Sequence, residues 1–241
     1  FENFGRFNYS LAESSYDLWL DGYVPGIPNR KVSIYVKGAI VSLMLDLSLR
    51  HATGNQASLD ELLVRLWEDF GKEQQGYSTE DIISIASSLA GEDLRLFFEK
   101  YVYGTEPVEE SLSALLRTVG CHLNVEEPES KAEGRFGFRL IPREGKLLVG
   151  KIEPGSPADM ALSLQDEIIA VNGIRISEST DELIGDDLEV EMTIIRRQKL
   201  MDVRLGRDNN TYFKQYTIAQ RENAGAAEKE NFTRWCGLPW A

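Results

Sequence analysis

The residues that most often bind catalytic metals are scarce in this chain of 241 residues. Its two histidines, His51 and His122, are isolated, and neither has a second histidine or a cysteine at the spacing of a zinc site. A general zinc peptidase needs two histidines one helical turn apart with a glutamate between them, and this motif is absent. The Gly-x-Ser-x-Gly elbow, the phosphate loop and the dinucleotide fingerprint are absent as well. The residue types alone therefore predict no metal site in this chain and no independent enzyme.

Charge and cysteine content restrict the partners and the compartment. Twenty-six Lys and Arg residues face thirty-nine Asp and Glu residues, so the formal net charge is −13, which disfavours nucleic acid and anionic membrane surfaces. The richest apolar stretch, 34–49, is interrupted by Lys37 and Asp46 and is shorter than a bilayer span. Cys121 and Cys236 are predicted to be free thiols, and no signal peptide is visible. We expect a soluble protein with no membrane partner, and the cytoplasm is slightly favoured.

The segment 33–52 has apolar residues on nearly every face, which predicts a central helix buried by the rest of the protein. Asp46 and Arg50 stand four residues apart on this helix, and we expect them to form a structural ion pair. Tyr35 lies near its start. From residue type alone, Tyr35 is a packing aromatic at the edge of a helix.

Capping signals and apolar stripes predict further helices in the first half. Ser58 and Ser78 each begin a capping box, and a glycine follows each of the two helices that they start. Apolar residues at helical spacing over 94–102 and 108–118 predict two more helices. The first half is therefore predicted to be all-helical.

The second half has a different character. Residues 126–134 have no apolar periodicity and are predicted to be a linker. Beyond them, runs rich in apolar and branched residues predict strands, and Ser156-Pro157 and Ser179 each begin a predicted short helix. The strands are expected at 136–141, 146–152, 167–171, 188–196 and 201–205. The predicted fold class is α+β, with a helical bundle at 1–125, the linker, a mainly-β domain at 135–220 and a tail at 221–241.

The order of motifs in the second half resembles the PDZ domains of bacterial proteases over about seventy residues. Phe136-Gly137-Phe138 precedes the first strand, a Gly-Ser-Pro-Ala helix start follows, and 166–173 is Asp-Glu-Ile-Ile-Ala-Val-Asn-Gly. The resemblance implies that backbone amides around Phe136, Gly137 and Phe138 face a terminal carboxylate. It also implies that a peptide or a protein C-terminus pairs as an extra strand beside Phe138, Arg139 and Leu140.

Two positions depart from the PDZ pattern. Arg135 stands where the loop usually begins with glycine, and Pro142 has no N–H with which to bond an added strand. We therefore expect weak binding of a short peptide. The alternative is a PDZ fold that only packs against its own chain, because one fold can carry many functions or none.

A second resemblance covers nearly the whole chain. Ser33-Ile34-Tyr35-Val36-Lys37-Gly38, followed by the apolar helix, resembles the region just downstream of the zinc ligands in the glycyl aminopeptidase family of metallopeptidases. The segment 14–19, the tryptophan-containing end at 234–238 and the order of helical and PDZ regions resemble the same family. The resemblance implies that the helical half is the C-terminal part of a thermolysin-like catalytic domain.

The family's chemistry gives Tyr35 a role. In the related aminopeptidase N group the tyrosine of a Tyr-x-Lys-Gly segment donates a hydrogen bond to the oxyanion formed at zinc, so the resemblance implies that Tyr35 stabilises the transition state. Ile34 and Val36 depart from the usual residues on either side. The implied reaction is hydrolysis of a peptide bond by zinc-activated water, with N-terminal glycine or alanine favoured and the zinc held upstream of Phe1.

Three interpretations remain open from the sequence. The chain is the C-terminal fragment of a zinc aminopeptidase, inactive alone, which binds the upstream catalytic region of the same protein. Alternatively, it is a non-catalytic adaptor that binds peptides. In a third interpretation it is a regulatory or assembly module whose apolar tail, 238–241, docks on the same or a neighbouring chain.

Overall fold

A computed structural model describes residues 1, 3–22, 29–30, 32–176 and 180–241 of the chain, which divides into two units. The helical unit comprises Asn3–Asn124 and Thr217–Ala241, and the sheet unit comprises Val125–Tyr216 together with Phe1. The α+β prediction, with a helical region followed by a mainly-β region, is confirmed. In the described part of the chain no helix has the length and the apolar character that crossing a bilayer requires.

The helical unit is built from amphipathic helices that begin at the predicted caps. Ser58 and Ser78 cap α3 and α4 through capping boxes closed by Glu61 and Asp81, because each serine oxygen accepts N–H bonds that the first turn leaves unpaired. Gly91, in the left-handed conformation, ends α4. The helices are α1 (Leu11–Tyr16), α2 (Ile34–Ala52), α3 (Leu59–Leu66), α4 (Thr79–Ala90), α5 (Arg95–Tyr101) and α6 (Glu109–Thr118), and strand β1 (Cys121–Glu126) follows.

The long helix α2 is buried over most of its length but not at its start. Its apolar residues from Val41 onward enter the core of the unit, whereas Tyr35 and Val36 are 68% and 56% exposed. The predicted ion pair is present, with Arg50 Nε 2.9 Å from Asp46 Oδ2. The other oxygen of Asp46 accepts the Leu59 N–H at 2.9 Å. This carboxylate therefore joins α2 to the start of α3.

The sheet unit contains an antiparallel sheet in the order β2-β3-β4-β6-β7, with β5 beside β4. Its strands are β2 (Phe138–Arg143), β3 (Lys146–Ile152), β4 (Glu167–Val171), β5 (Ile174–Arg175), β6 (Glu189–Arg196) and β7 (Lys199–Gly206). The predicted strands are confirmed to within a few residues. Ser156 caps α7 (Pro157–Ala161) as predicted, and α8 (Asp181–Ile184) falls in the segment predicted as a second short helix, of which Ser179 lies outside the described residues.

An ion pair with a buried carboxylate holds the start of β4 to the end of β6. Asp166 is 1% exposed, and its two oxygens accept from Arg196 Nε at 2.9 Å and Nη2 at 2.6 Å. The Ser163 N–H donates to the same carboxylate at 2.7 Å. Because the buried charge has several donors, it does not remain unsatisfied. The Asp-Glu-Ile-Ile motif therefore starts with a structural carboxylate.

Two elements differ from the prediction, because β1 lies in the half predicted to be all-helical and α9 (Ala226–Cys236) lies in the segment predicted as a tail. β8 (Gln215–Gln220) pairs with β1 in a separate two-stranded sheet, and α9 lies within the helical unit. Asn231 on α9 donates to the Thr118 carbonyl at 2.9 Å. The ring of Trp240 packs on Gly120, where an added Cβ would lie 2.7 Å from it. The C-terminal tail is thus packed on its own helical unit.

Candidate functional site

The described residues do not form a metal site. Among them, no group of three or more His, Cys, Asp or Glu side chains is placed to hold a metal ion. His51 is near the end of α2, and His122 is on β1 with its Nδ1 buried and without a hydrogen-bond partner in the described part of the chain. The described residues therefore provide no ligand set for zinc, and the aminopeptidase resemblance places the zinc ligands upstream of Phe1.

Tyr35 is the second residue of α2, in the first turn after the capping residue Ser33, whose Oγ accepts the Val36 N–H at 3.3 Å. The tyrosine is exposed, while Lys37, two residues further on, is only 4% exposed. The turn therefore presents a phenol on the outside of the helical unit and a cation on the inside. Trp19, which precedes the helix in the same unit, is 83% exposed.

Lys37 is a buried cation whose Nζ has no hydrogen-bond partner among the described residues. Burial, and then the charge of Arg6, lower the pKa of its ammonium. Arg6 itself pairs with Glu109 of α6 through both oxygens, with Nη1 3.1 Å from Oε2. Burial acts to raise the pKa of Glu109, but the Arg6 bonds and charge outweigh it and hold that pKa below its usual range. The Glu109 carboxylate is therefore paired with Arg6, and it does not neutralise the Lys37 ammonium.

Replacing Lys37 with methionine is expected to raise the free energy of unfolding at pH 7 by about 1–2 kcal/mol, because the variant buries no charge. In the folded protein the lysine pKa lies below its unfolded value of about 10.4, so the unfolded chain binds more protons between these two values. The stability of the natural chain thus rises with pH through this window. The advantage of Lys37→Met should therefore shrink as the pH approaches 10.

Thermal melts from pH 7 to pH 10 measure this effect, and Lys100→Met, at an exposed position on α5, is the matched control. The control should leave the melting temperature within about 1 °C, since exposed substitutions rarely change stability by more than about 0.5 kcal/mol. A Lys37→Met variant that is less stable at pH 7 would show that the ammonium is favourably paired.

In the sheet unit, the residues predicted to bind a peptide lie together at the start of β2. Phe136 and Phe138 are fully buried in the core, and Gly137 between them has φ +75°. The Gly137 carbonyl accepts from the Glu153 N–H at 2.9 Å and from Ser156 Oγ at 3.4 Å. The Gly137 N–H donates to the Glu133 carbonyl at 3.0 Å. Both the N–H and the carbonyl of Gly137 are thus hydrogen-bonded within the sheet unit.

β2 is an edge strand within the described sheet, since it pairs with β3 alone. Because the Gly137 carbonyl faces β3, the backbone groups of the next residue, Phe138, turn toward the open edge. Leu140 packs partly against the core, and Arg139 pairs with Glu133, with Nη2 2.6 Å from Oε2. Pro142 lies in this edge strand, where a missing N–H is tolerated.

Arg135 joins the loop to the end of α8. Its Nη1 donates to the Gly185 carbonyl at 2.8 Å, and its Nη2 donates to Asp186 Oδ1 at 2.9 Å. Lys131 Nζ lies 3.8 Å from the same oxygen. Donation from Arg135, and then the charge of Lys131, lower the pKa of the Asp186 carboxyl. Sequence reasoning missed Asp186, and the only signal was an arginine where PDZ loops usually have glycine.

Comparisons with known proteins agree with the aminopeptidase resemblance. Residues 1–41 match the sequence model of the M61 glycyl aminopeptidase family, which confirms the resemblance over this N-terminal part. The chain superposes on the crystal structure of an aminopeptidase N family protein from Idiomarina loihiensis with a TM-score of 0.82 and 25% identity. The match covers 97% of this chain and 41% of that one, so this chain spans less than half of its relative.

A second structural match is weaker. The PDZ domain of HtrA3, bound to a phage-derived ligand, has 15% identity and covers 42% of this chain and 93% of its own. Its TM-score is 0.28, which is too low to support a conclusion about fold or binding. A comparison with curated protein sequences finds no match.

Proposed function

We propose that this chain is the C-terminal part of a zinc aminopeptidase. In this proposal it contributes one wall of the active site, through the start of α2, and a PDZ module that binds peptides. The observation that carries the proposal is the structural likeness to an aminopeptidase N family protein over 97% of this chain. Because this chain spans 41% of that relative, the zinc ligands would belong to the rest of a longer parent protein.

The exposure of the start of α2 supports a contact with that remaining part. Tyr35 and Val36 are exposed, and so are Tyr16, Trp19 and Leu20 in the preceding segment. Exposed apolar side chains mark an interaction surface when they form a contiguous patch, and in this proposal the remaining part of the parent protein covers them. The segment that carries them lies within residues 1–41, where the family match is found.

Tyr35 has the chemistry that peptide hydrolysis requires of a transition-state stabiliser. Its phenol can donate a hydrogen bond to an oxyanion that exists only in the transition state, so the bond lowers the barrier without tightening substrate binding. This role needs an accessible hydroxyl close to the reacting carbonyl, and the exposed first turn of α2 would supply one.

A non-catalytic peptide-binding adaptor is the second candidate function. The open edge of β2 favours it, because an extended peptide can extend the sheet there without any contribution from the helical unit. Peptide binding is common to the two candidates. They are distinguished by whether zinc-dependent hydrolysis accompanies peptide binding.

The test compares the parent protein with the 241-residue chain. We expect the parent protein to release para-nitroaniline from glycyl and alanyl para-nitroanilides, to lose this activity on chelation and to regain it with zinc. The 241-residue chain alone should be inactive. A parent protein that binds peptides but stays inactive with zinc would contradict the aminopeptidase proposal and favour the adaptor.

A further inference from the structure

We propose that Arg135, and not the Gly137 amide, receives the terminal carboxylate of a peptide bound beside β2. In the structure the Asp186 carboxylate is bound to the Arg135 guanidinium. The peptide carboxylate replaces the Asp186 carboxylate on binding. The inference rests on the proposed peptide-binding function of the sheet unit.

The central amide of the loop, at Gly137, is not available to a carboxylate. The Gly137 N–H is already donated to the Glu133 carbonyl, within the helical turn Ala132–Phe136 and its cap. Releasing it would break this turn. The glycine cannot easily rotate, because its carbonyl is bonded to Glu153 and its Cα faces Ser156 so closely that a Cβ would lie 2.2 Å from the serine Cβ. The amide nest that the PDZ resemblance implies is therefore not offered by Gly137.

Arg135 offers a better receptor at the same place. The bond from Nη1 to the Gly185 carbonyl fixes the guanidinium, and this bond does not depend on Asp186. The second nitrogen, Nη2, holds a carboxylate that already shows which ligand chemistry this position accepts. A planar guanidinium binds carboxylates with directed, charge-assisted bonds, so a peptide terminus can replace the aspartate with little rearrangement.

The end of α8 is held beside the loop by contacts that peptide exchange would leave intact. Asp181, the first residue of α8, accepts from the Ala132 N–H at 3.0 Å and from Ser130 Oγ at 3.1 Å. These bonds tie the start of α8 to the turn that precedes β2. Gly185, directly after the helix, therefore keeps its position near Arg135 when the Asp186 side chain leaves.

The Asp186 contact is weak enough to exchange. The Asp186 side chain is 87% exposed, whereas the Arg135 side chain is 24% exposed. Ion pairs with an exposed partner contribute little net stability, because water solvates the separated charge almost as well. Once displaced, Asp186 can still remain close to Lys131, which lies 3.8 Å from it. A peptide terminus that also pairs with the β2 edge therefore has the advantage over Asp186.

Fluorescence polarisation tests the receptor with labelled pentapeptides that end in an apolar residue, each as a free acid and as a C-terminal amide. We expect the natural chain to prefer the acid about tenfold, which corresponds to about 1.4 kcal/mol. Arg135→Gln should abolish the preference, and Asp186→Asn should tighten binding of the acid about three- to tenfold. Arg143→Gln, on an exposed arginine at the far end of β2, is the control of equal charge and should change neither value. A preference that survives in Arg135→Gln would overturn the proposal.

A second measurement remains informative if no peptide binds. In Asp186→Asn, titration with sodium acetate should shift the Arg135 Nε–Hε nuclear magnetic resonance signal in a saturable way, against sodium chloride at equal ionic strength. An acetate-induced shift without any peptide binding would support Arg135 as a carboxylate receptor and contradict the proposed peptide-binding function. An Arg135 signal that acetate leaves unchanged would overturn the receptor, whatever the peptides do.

Discussion

Replacement of Tyr35 by phenylalanine in the parent protein is expected to lower kcat by about 100- to 1,000-fold, with KM almost unchanged. The substitution removes only the hydroxyl, and the proposed hydrogen bond forms in the transition state, so substrate binding should not suffer. The loss corresponds to about 3–4 kcal/mol of transition-state stabilisation. Steady-state kinetics with glycyl para-nitroanilide measures both constants.

Tyr77→Phe is the matched control, because Tyr77 is also an exposed tyrosine of the helical unit and loses the same atom. It should leave kcat within a factor of about two, as expected for a surface substitution away from the reacting groups. Equal losses in both variants would point to a general effect on folding. A Tyr35→Phe enzyme with full kcat would remove Tyr35 from the chemistry and leave it as a packing residue.

Replacement of Gly137 by alanine is expected to destabilise the sheet unit by about 2–4 kcal/mol, from two separate causes. The left-handed backbone at φ +75° costs an alanine about 1 kcal/mol. In addition, the new methyl group would lie 2.2 Å from the Ser156 Cβ and 3.3 Å from the Tyr212 ring, which forces one of them to move. Hydrogen exchange of core amides in β3 and β6 measures the loss in this unit alone.

Gly145→Ala separates the two causes. Gly145 has φ +76°, but no atom lies within 4 Å of its added Cβ. Its alanine variant should therefore show only the backbone cost of about 1 kcal/mol. If both variants lose the same stability, the packing of Ser156 against the loop has no energetic weight. That result would also indicate that packing against Ser156 does not hold the Gly137 amide in place.

The elements that the sequence predicts well are those with strong local signals. The helices that begin at Ser58 and Ser78 have a serine and an acidic partner three residues apart, and this pattern specifies a helix start without help from the fold. The strands β3 and β4 match their predicted bounds because turn residues flank short apolar runs.

The missed elements lack such local signals. The segment of β1 is Cys-His-Leu-Asn-Val-Glu, in which strand alternation is too short to be decisive, and its partner β8 is about ninety residues away. The helix α9 has a short apolar stripe of Phe232, Trp235 and Cys236 only near its end, so its contacts with the helical unit explain its place. Both elements depend on tertiary contacts.

The same limit applies to the candidate site. A single arginine in the loop could be noticed in the sequence, but its pairing with Asp186, 51 residues further on, depends on how the chain folds. Lys37 likewise belongs to a recognised Tyr-x-Lys-Gly segment, and nothing in that segment indicates that its ammonium is buried beside Arg6. Sequence patterns indicate which helix or strand carries a side chain. The partners of that side chain depend on how the helices and strands pack.

The exposure of Trp19 gives the parent protein an optical reporter. An indole in water emits at longer wavelength than one covered by protein, and Trp19 is 83% exposed in this chain. If the metal-bearing part of the parent protein covers it, the difference spectrum between the parent protein and its Trp19→Phe variant will be blue-shifted. The same difference spectrum for the 241-residue chain would remain that of a solvated indole. Association of the two parts could then be followed in real time without a label.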